Sequence, residues 1–198
     1  MTGVMLGERF DRAMALAMEL HRRHWRKGTT IPYLAHLLGV ASLVLEHGGG
    51  EDEAAAALLH DAVEDQGGAP TLARIRAELG DAIADIVRAV SDTDVVPKPP
   101  WRERKERYLA HLPQAAAPAR LVSAADKLHN ARAIVADLRV HGEGVWDRFA
   151  GGREGTLWYY RSLVEAFQSG GSPGGPPAEL VAELARTVGE MERLARED

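Results

Sequence analysis

The chain has 198 residues, of which 45% are hydrophobic and 27% charged, and its formal net charge at pH 7 is −5. This length accommodates one domain with a substantial core, and the negative charge argues against a general nucleic-acid binder, whose surface would be basic. No apolar run approaches the roughly 20 residues of a membrane-spanning helix, the N-terminus lacks the pattern of a secretory signal, and there is no cysteine. We therefore expect a cytoplasmic protein with neither a nucleic-acid nor a membrane partner.

Successive segments carry the apolar periodicity of amphipathic helices, and none alternates as a strand would. The pattern predicts an all-α bundle of roughly eight to ten helices. One predicted helix covers residues 51–65 without interruption, whereas the glycine-containing segment 151–155 is predicted to be irregular. Residues 1–168 are expected to form the main domain, 169–178 a Gly/Pro-rich linker and 179–198 a C-terminal amphipathic helix.

The segment ALLHDAVEDQGG, residues 57–68, places four strongly polar side chains directly after an apolar run. On a continuous helix residues four apart share a face, so His60 would lie beside Glu64 and Asp61 beside Asp65. Burying a carboxylate without a partner is costly, and a divalent metal ion would compensate for that cost. The segment therefore predicts part of a metal site.

Two more residues complete the predicted ligand set. His36 lies among apolar residues in PYLAHLLGVA, and Asp126 follows small and apolar residues in LVSAADKLHNAR. With His60 and Asp61 they provide two imidazoles and two carboxylates, a donor set that suits Mn²⁺, Fe²⁺ or Zn²⁺ better than Ca²⁺. Four protein ligands leave coordination positions open for water and substrate, as a catalytic site requires.

The order of these ligands, His…His-Asp…Asp in a helical chain, resembles that of the HD-domain metal-dependent phosphohydrolases. More narrowly, RKGTTIPYLAH, ALLHDAVEDQGG and SAADKLHNAR resemble the hydrolase domain of the RelA/SpoT homologues and the single-domain small alarmone hydrolases. The resemblance extends over most of the chain and implies an HD-type hydrolase domain over residues 1–168. It also implies removal of pyrophosphate from the 3′ position of guanosine tetra- or pentaphosphate, which yields GDP or GTP.

The same resemblance implies roles for individual residues. The metal in that family is usually Mn²⁺, and Glu64 and Asp65 would orient and deprotonate the attacking water. The residues implied to contact the substrate are Arg26, Lys27, Lys98 and Asn130, with Arg104, Lys105 and Arg153 as further candidates. Of these, Asn130 resembles a residue that contacts the ribose, and the others would hold the phosphates.

Some positions near the expected base and ribose depart from the family pattern, among them Leu37, which stands where a proline is usual, and the loop 28–31. The alternatives are therefore another HD-type nucleotide phosphohydrolase (an NADPH 2′-phosphatase, an adenosine alarmone hydrolase or a nucleotidase) or a non-catalytic nucleotide-sensing module. The sensing module fits less well, because degenerate HD domains generally lose a ligand and this sequence keeps all four. A homo-oligomer is also compatible with the sequence. His129, like five other histidines, is predicted to be a surface or packing residue.

Overall fold

The described part of the chain consists of helices joined by turns and loops, with no strand. The computed structural model describes residues 3–93, 97–169 and 176–197. The α-helices are α1 (Glu8–Leu20), α2 (Leu34–Glu46), α3 (Glu51–Leu59), α4 (Ala62–Asp65), α5 (Ala69–Leu79), α6 (Asp81–Val90), α7 (Trp101–His111), α8 (Ala117–His141), α9 (Gly152–Ser169) and α10 (Ala178–Glu197). Two 3-10 helices cover Leu112–Gln114 and Gly142–Arg148. The all-α prediction is confirmed, and no helix within these ranges combines the length and hydropathy needed to cross a membrane.

Helices α3 and α8 form the centre of the molecule. Four consecutive alanines of α3, residues 54–57, are fully buried, and their small side chains let α1, α2, α6 and α8 pack closely around this helix. Helix α8 in turn packs against α2, α3, α6, α9 and α10. The C-terminal end of α3 therefore lies deep in the protein, next to α2 and α8.

The predicted uninterrupted helix over residues 51–65 is wrong at one point. Helix α3 ends at Leu59 and α4 begins at Ala62, with a turn at His60 and Asp61 between them. His60 Nδ1 lies 2.8 Å from the carbonyl oxygen of Ala57, and Asp61 has φ −95° and ψ −2°, away from regular helix geometry. The turn lets two successive residues direct their terminal atoms at the same point.

The C-terminal helix α10 packs against α8 and α9. Leu180, Leu184 and Met191 on this helix are fully buried, so α10 covers part of the core. Residues 170–175 of the predicted linker lie outside the described residues, and the division into domain, linker and terminal helix stays a prediction.

A stack of three aromatic rings, those of Tyr33, His24 and His21, lies next to the turn at His60 and Asp61. The ring of His24 lies 4.0 Å from that of Tyr33 and 5.3 Å from that of His21, centroid to centroid. His21 is buried, and its Nδ1 is 3.0 Å from Nδ1 of His24. Burial, together with the neighbouring His24, lowers the pKa of His21 to about 4.

This lowered pKa predicts a loss of stability in mild acid. In the unfolded chain the pKa of His21 is about 6.5. Between that pH and about 4 the unfolded state therefore binds more protons than the folded state. The free energy of unfolding consequently falls as the pH falls. The loss reaches on the order of 3 kcal/mol below pH 4. His21→Phe, which keeps a ring but cannot titrate, should reduce this loss in urea denaturation measured from pH 7 to pH 4.5. The matched control is His111→Phe at an exposed position, and an equal pH dependence in both variants would contradict the assignment to His21.

Candidate metal centre and adjoining cavities

Four side chains from three parts of the fold meet at one point. His36 of α2 places Nε2 3.3 Å from Nε2 of His60 and 3.2 Å from Oδ1 of Asp126 on α8. Nε2 of His60 is 3.0 Å from Oδ2 of Asp61 and 3.5 Å from Oδ1 of Asp126. Nε2 of His36 is 3.6 Å from Oδ2 of Asp61. The structure thus brings together all four residues of the predicted ligand set.

The spacing of these atoms fits a divalent metal ion. Bonds of about 2.0–2.2 Å to nitrogen and oxygen donors place neighbouring ligands about 3.0 Å apart in octahedral geometry and about 3.4 Å apart in tetrahedral geometry. The separations of 3.0 to 3.6 Å in the structure match these values. Donor atoms of His36, His60 and Asp126 all lie within 4.8 Å of one another, and Asp61 approaches the two histidines. His36, His60 and Asp126 are all buried, so an ion held by them would be largely withdrawn from solvent.

The electrostatics of this cluster favour a cation. Burial opposes the charged form of His60, yet the carboxylates of Asp61 and Asp126 raise the pKa of His60 well above its usual value. Burial likewise opposes ionisation of Asp126, but Lys127 and His60 hold its pKa well below the usual value. The two carboxylates therefore stabilise positive charge at the centre of the cluster, whether a proton on His60 or a metal ion carries it.

Both histidines are held so that Nε2 faces the cluster. His60 donates from Nδ1 to the carbonyl oxygen of Ala57. Nδ1 of His36 lies 3.0 Å from Nδ1 of His129. Burial and the neighbouring His36 lower the pKa of His129 to about 4. A neutral His129 can accept a hydrogen bond from Nδ1–H of His36, the tautomer that leaves Nε2 of His36 free to bind a metal ion. Partners of this kind fix the tautomer and orientation of metal-binding histidines.

Three of the residues that hold the ligands were missed by the sequence analysis. His129, predicted to be a surface or packing residue, in fact contacts His36, and its position three residues after Asp126 on one helical face was the available signal. The hydroxyl of Tyr33 donates to Oδ2 of Asp61. Lys127 Nζ donates to Oδ2 of Asp126 over 2.6 Å.

A cavity of about 200 Å³ opens beside the ligands, and we call it the metal-side cavity. Asp61, Glu64, Asp65 and Asp126 line it, together with Lys105 and Lys127. The pKa of Asp65 is raised by burial and by the nearby Asp61 and Glu64. The predicted catalytic pair thus lies at the same cavity as the ligands.

Two cations contact the predicted catalytic pair, and a third lies nearby. Lys98 Nζ is 3.1 Å from Oε1 of Glu64 and 3.5 Å from Oδ1 of Asp65, and Arg104 Nη1 is 3.5 Å from Oε1 of Glu64. Arg104 and Lys105 also pair with Asp92, a residue absent from the sequence prediction, and Lys105 Nζ lies 2.9 Å from its Oδ2. Asp92 thereby fixes two cations near the metal-side cavity.

A second cavity of about 560 Å³ adjoins the first, and we call it the long cavity. The residues that line both cavities are Tyr33, Lys105, Lys127, Asn130 and Tyr159. Asn130 forms a hydrogen bond with a residue of each cavity. Its Nδ2 donates to Oδ1 of Asp126, in the metal-side cavity, over 2.6 Å, and its Oδ1 accepts from Arg26, in the long cavity, over 2.8 Å.

The residues predicted to contact a substrate divide into three groups. Those that line the long cavity are Arg26, Lys27, Arg104, Lys105 and Asn130. Lys98 is held at the catalytic pair. Arg153 lies apart from both cavities, since its guanidinium forms an ion pair with Glu143 and donates to the carbonyl oxygen of Ala195 on α10. The structure does not support the substrate contact predicted for Arg153.

The chain is similar in sequence to known proteins. A family model described as "HD domain" matches residues 13–157. Guanosine-3′,5′-bis(diphosphate) 3′-pyrophosphohydrolase MESH1 of Xenopus tropicalis is 40% identical over 123 residues, which cover 61% of this chain and 66% of the frog protein, just under two thirds of its length.

Two solved structures are similar in fold. One, of a metazoan SpoT ortholog that hydrolyses ppGpp, has a TM-score of 0.74 and 24% identity, with 93% of this chain and 96% of that chain covered. The other, of a protein from Listeria monocytogenes, has a TM-score of 0.68 and 31% identity, with 81% of this chain and 99% of that chain covered.

Proposed function

The chain belongs to the HD-domain family, and from this membership we propose that it is a metal-dependent hydrolase that removes pyrophosphate from the 3′ position of guanosine tetraphosphate (ppGpp) or pentaphosphate (pppGpp). The products are GDP or GTP and pyrophosphate. The observation that carries the proposal is the four-donor cluster, which opens through the metal-side cavity, lined by carboxylates and two lysines, into a second cavity large enough for a nucleoside. The name of the frog relative supports the choice of substrate.

His36, His60, Asp61 and Asp126 would hold the metal ion. When bound, a divalent ion supplies Lewis acidity, which polarises a phosphoryl oxygen and makes water a stronger acid. Mn²⁺ is the proposed ion, with Fe²⁺ and Zn²⁺ as alternatives, because a shell of two imidazoles and two carboxylates accommodates all three. A cytoplasmic location, expected from the sequence, is part of the same proposal.

The catalytic pair has two distinct tasks in this scheme. Asp65, whose pKa is raised by burial and by the nearby Asp61 and Glu64, is the proton acceptor, since a raised pKa makes a carboxylate a stronger base. Glu64 is fixed by Lys98 and Arg104 and orients the attacking water. As the new oxygen–phosphorus bond forms, the bond from phosphorus to the ribose 3′ oxygen breaks, and that oxygen takes up a proton.

The cations and Asn130 account for binding of the substrate. Lys105 and Lys127 lie where the two cavities join and offset the charge of the 3′-pyrophosphate. Arg26 and Lys27 line the long cavity and are available to the 5′-phosphates. Asn130 lies one helical turn beyond Asp126 and donates to it, and in this proposal it contacts the ribose.

The test is the product released from a panel of nucleotides by the purified protein with Mn²⁺. We expect pyrophosphate from ppGpp and pppGpp, loss of turnover with a chelator and recovery when Mn²⁺ is restored. Orthophosphate from NADPH or from nucleoside monophosphates, with ppGpp left intact, would instead assign another HD phosphohydrolase activity. A protein that binds metal and turns over nothing in the panel would be a sensing module.

A further inference from the structure

One face of α8 leads from the metal ligands along the whole long cavity. Asp126, Asn130, Ile134 and Asp137 follow at intervals of four, four and three residues, so their side chains lie on a common face. At about 1.5 Å per residue, Asp137 lies about 16 Å beyond Asp126 along the helix axis. Asp126 lines the metal-side cavity, Asn130 lines both cavities, and Ile134 and Asp137 line the long cavity.

The chemistry of the long cavity changes along this line. Near Asn130 the wall is polar and cationic, with Arg26 and Lys127. Beyond Asn130 it includes Ile134 and Phe149, which suit a flat apolar surface. On the proposed function, a nucleotide whose 3′-pyrophosphate lies at the metal ligands has its ribose beside Asn130 and its base beside Ile134. The edge of the base then faces Asp137.

Asp137 is paired with Arg148 of the second 3-10 helix, and both residues line the long cavity. Arg148 Nη1 donates to Asp137 Oδ2 over 2.8 Å, and both side chains are partly exposed. That bond uses one carboxylate oxygen and one of the five N–H donors of the guanidinium group.

The position of Arg148 depends on Gly28, which follows Lys27. Gly28 has φ +72°, a left-handed conformation, and a Cβ atom at that position would lie 3.0 Å from Cδ of Arg148. The backbone of this loop therefore packs directly on the aliphatic part of Arg148, and the charged pair is preorganised at the end of the cavity.

We propose that Asp137 and Arg148 read the edge of the base and select guanine over adenine. Guanine presents donors at N1 and N2, which a carboxylate accepts, beside acceptors at O6 and N7, to which a guanidinium group donates. Adenine presents a donor at N6, towards the guanidinium group, and an acceptor at N1, towards the carboxylate. The inference rests on the proposed function for the orientation of the nucleotide, and the expected preference for guanine is on the order of 10- to 100-fold.

The test compares ppGpp with its adenosine counterpart in the wild type, Asp137→Asn, Arg148→Gln and the double variant, each as the full chain. We expect the guanine-to-adenine ratio of kcat/KM to fall at least about tenfold in each variant, mainly through KM for ppGpp. The matched control is Asp147→Asn, the same charge change at the exposed residue beside Arg148, which should leave the ratio unchanged. A ratio that stays at the wild-type value in all three variants would overturn the proposal.

A binding measurement separates this proposal from the proposed activity. Calorimetry with guanosine and adenosine 3′,5′-bisphosphate reports base selection without any turnover. If the wild type hydrolyses neither tetraphosphate yet prefers the guanosine bisphosphate, and the variants lose that preference, the activity is wrong and the base reader stands. Equal affinity of the wild type for the two bisphosphates would overturn the base reader, whatever the outcome of the activity assay.

Discussion

Asp61→Ala is expected to abolish tight binding of a divalent metal while leaving the helical fold intact. The substitution removes one of four converging donors and half of the negative charge at the cluster. Because Asp61 lies in the turn between α3 and α4 rather than in the packed interior of a helix, its removal should cost little packing. Metal content after dialysis and the affinity from calorimetry measure the effect, and circular dichroism checks the fold.

A graded control sharpens this test. Tyr33→Phe removes only the hydroxyl that donates to Asp61, and loss of such an outer partner typically lowers metal affinity roughly 10- to 100-fold. Asp11→Ala at an exposed position of α1 should change nothing. The expected order of affinity is therefore Asp11→Ala equal to the wild type, then Tyr33→Phe, then Asp61→Ala. Unchanged metal affinity in Asp61→Ala would refute its role as a ligand.

Glu64→Gln is expected to retain the metal and lose most of the proposed turnover. The substitution preserves the shape of the side chain but weakens its pairs with Lys98 and Arg104 and removes the charge that orients the attacking water. Loss of a group that positions the attacking water, like loss of one that accepts its proton, commonly costs on the order of 10²–10⁴ in rate. The measurement is kcat for ppGpp together with metal content, so that loss of chemistry is separated from loss of the ion.

A companion variant and a control complete the experiment. Asp65→Asn should lose turnover in the same range, since it removes the proposed proton acceptor. Glu103→Gln, an exposed exchange on α7, should keep the wild-type rate. Full turnover in Glu64→Gln would show that this residue takes no part in the reaction, and loss of metal from the same variant would show that it acts through the ion.

The ligand set could be predicted from the sequence because its signals are local. A histidine within an apolar helix and an adjacent His-Asp pair after an alanine run each indicate polar side chains at buried positions. A metal ion bound by these side chains would account for both patterns. The break in the predicted helix over residues 51–65, at His60 and Asp61, could not be predicted in the same way. Alanine and leucine favour a continuous helix, and only the bond from His60 to Ala57 and the surrounding packing fix the turn.

Most of the structural features that the sequence analysis did not predict are contacts between distant parts of the chain. The contact of His129 with His36 has one local signal, the spacing of His129 from Asp126. The pairing of Asp92 with cations of α7 has none. The glycines of segment 151–155 were interpreted as marks of an irregular loop, yet α9 begins at Gly152. A Cβ atom at Gly151 would lie 2.6 Å from the ring of Trp101, so this glycine permits close contact with an aromatic ring.

The donors of the cluster come from α2, from the turn after α3 and from α8, segments well separated along the chain. An unfolded chain offers no comparable site, so an ion held by these donors would bind the native state alone. It would add to the free energy of unfolding, by about 2.7 kcal/mol when the free ion is at 100 times its Kd. A bound metal ion would thus stabilise the native fold as well as take part in the reaction. The concentration of free metal ion in the cell would then affect the stability of the folded protein as well as its rate of turnover.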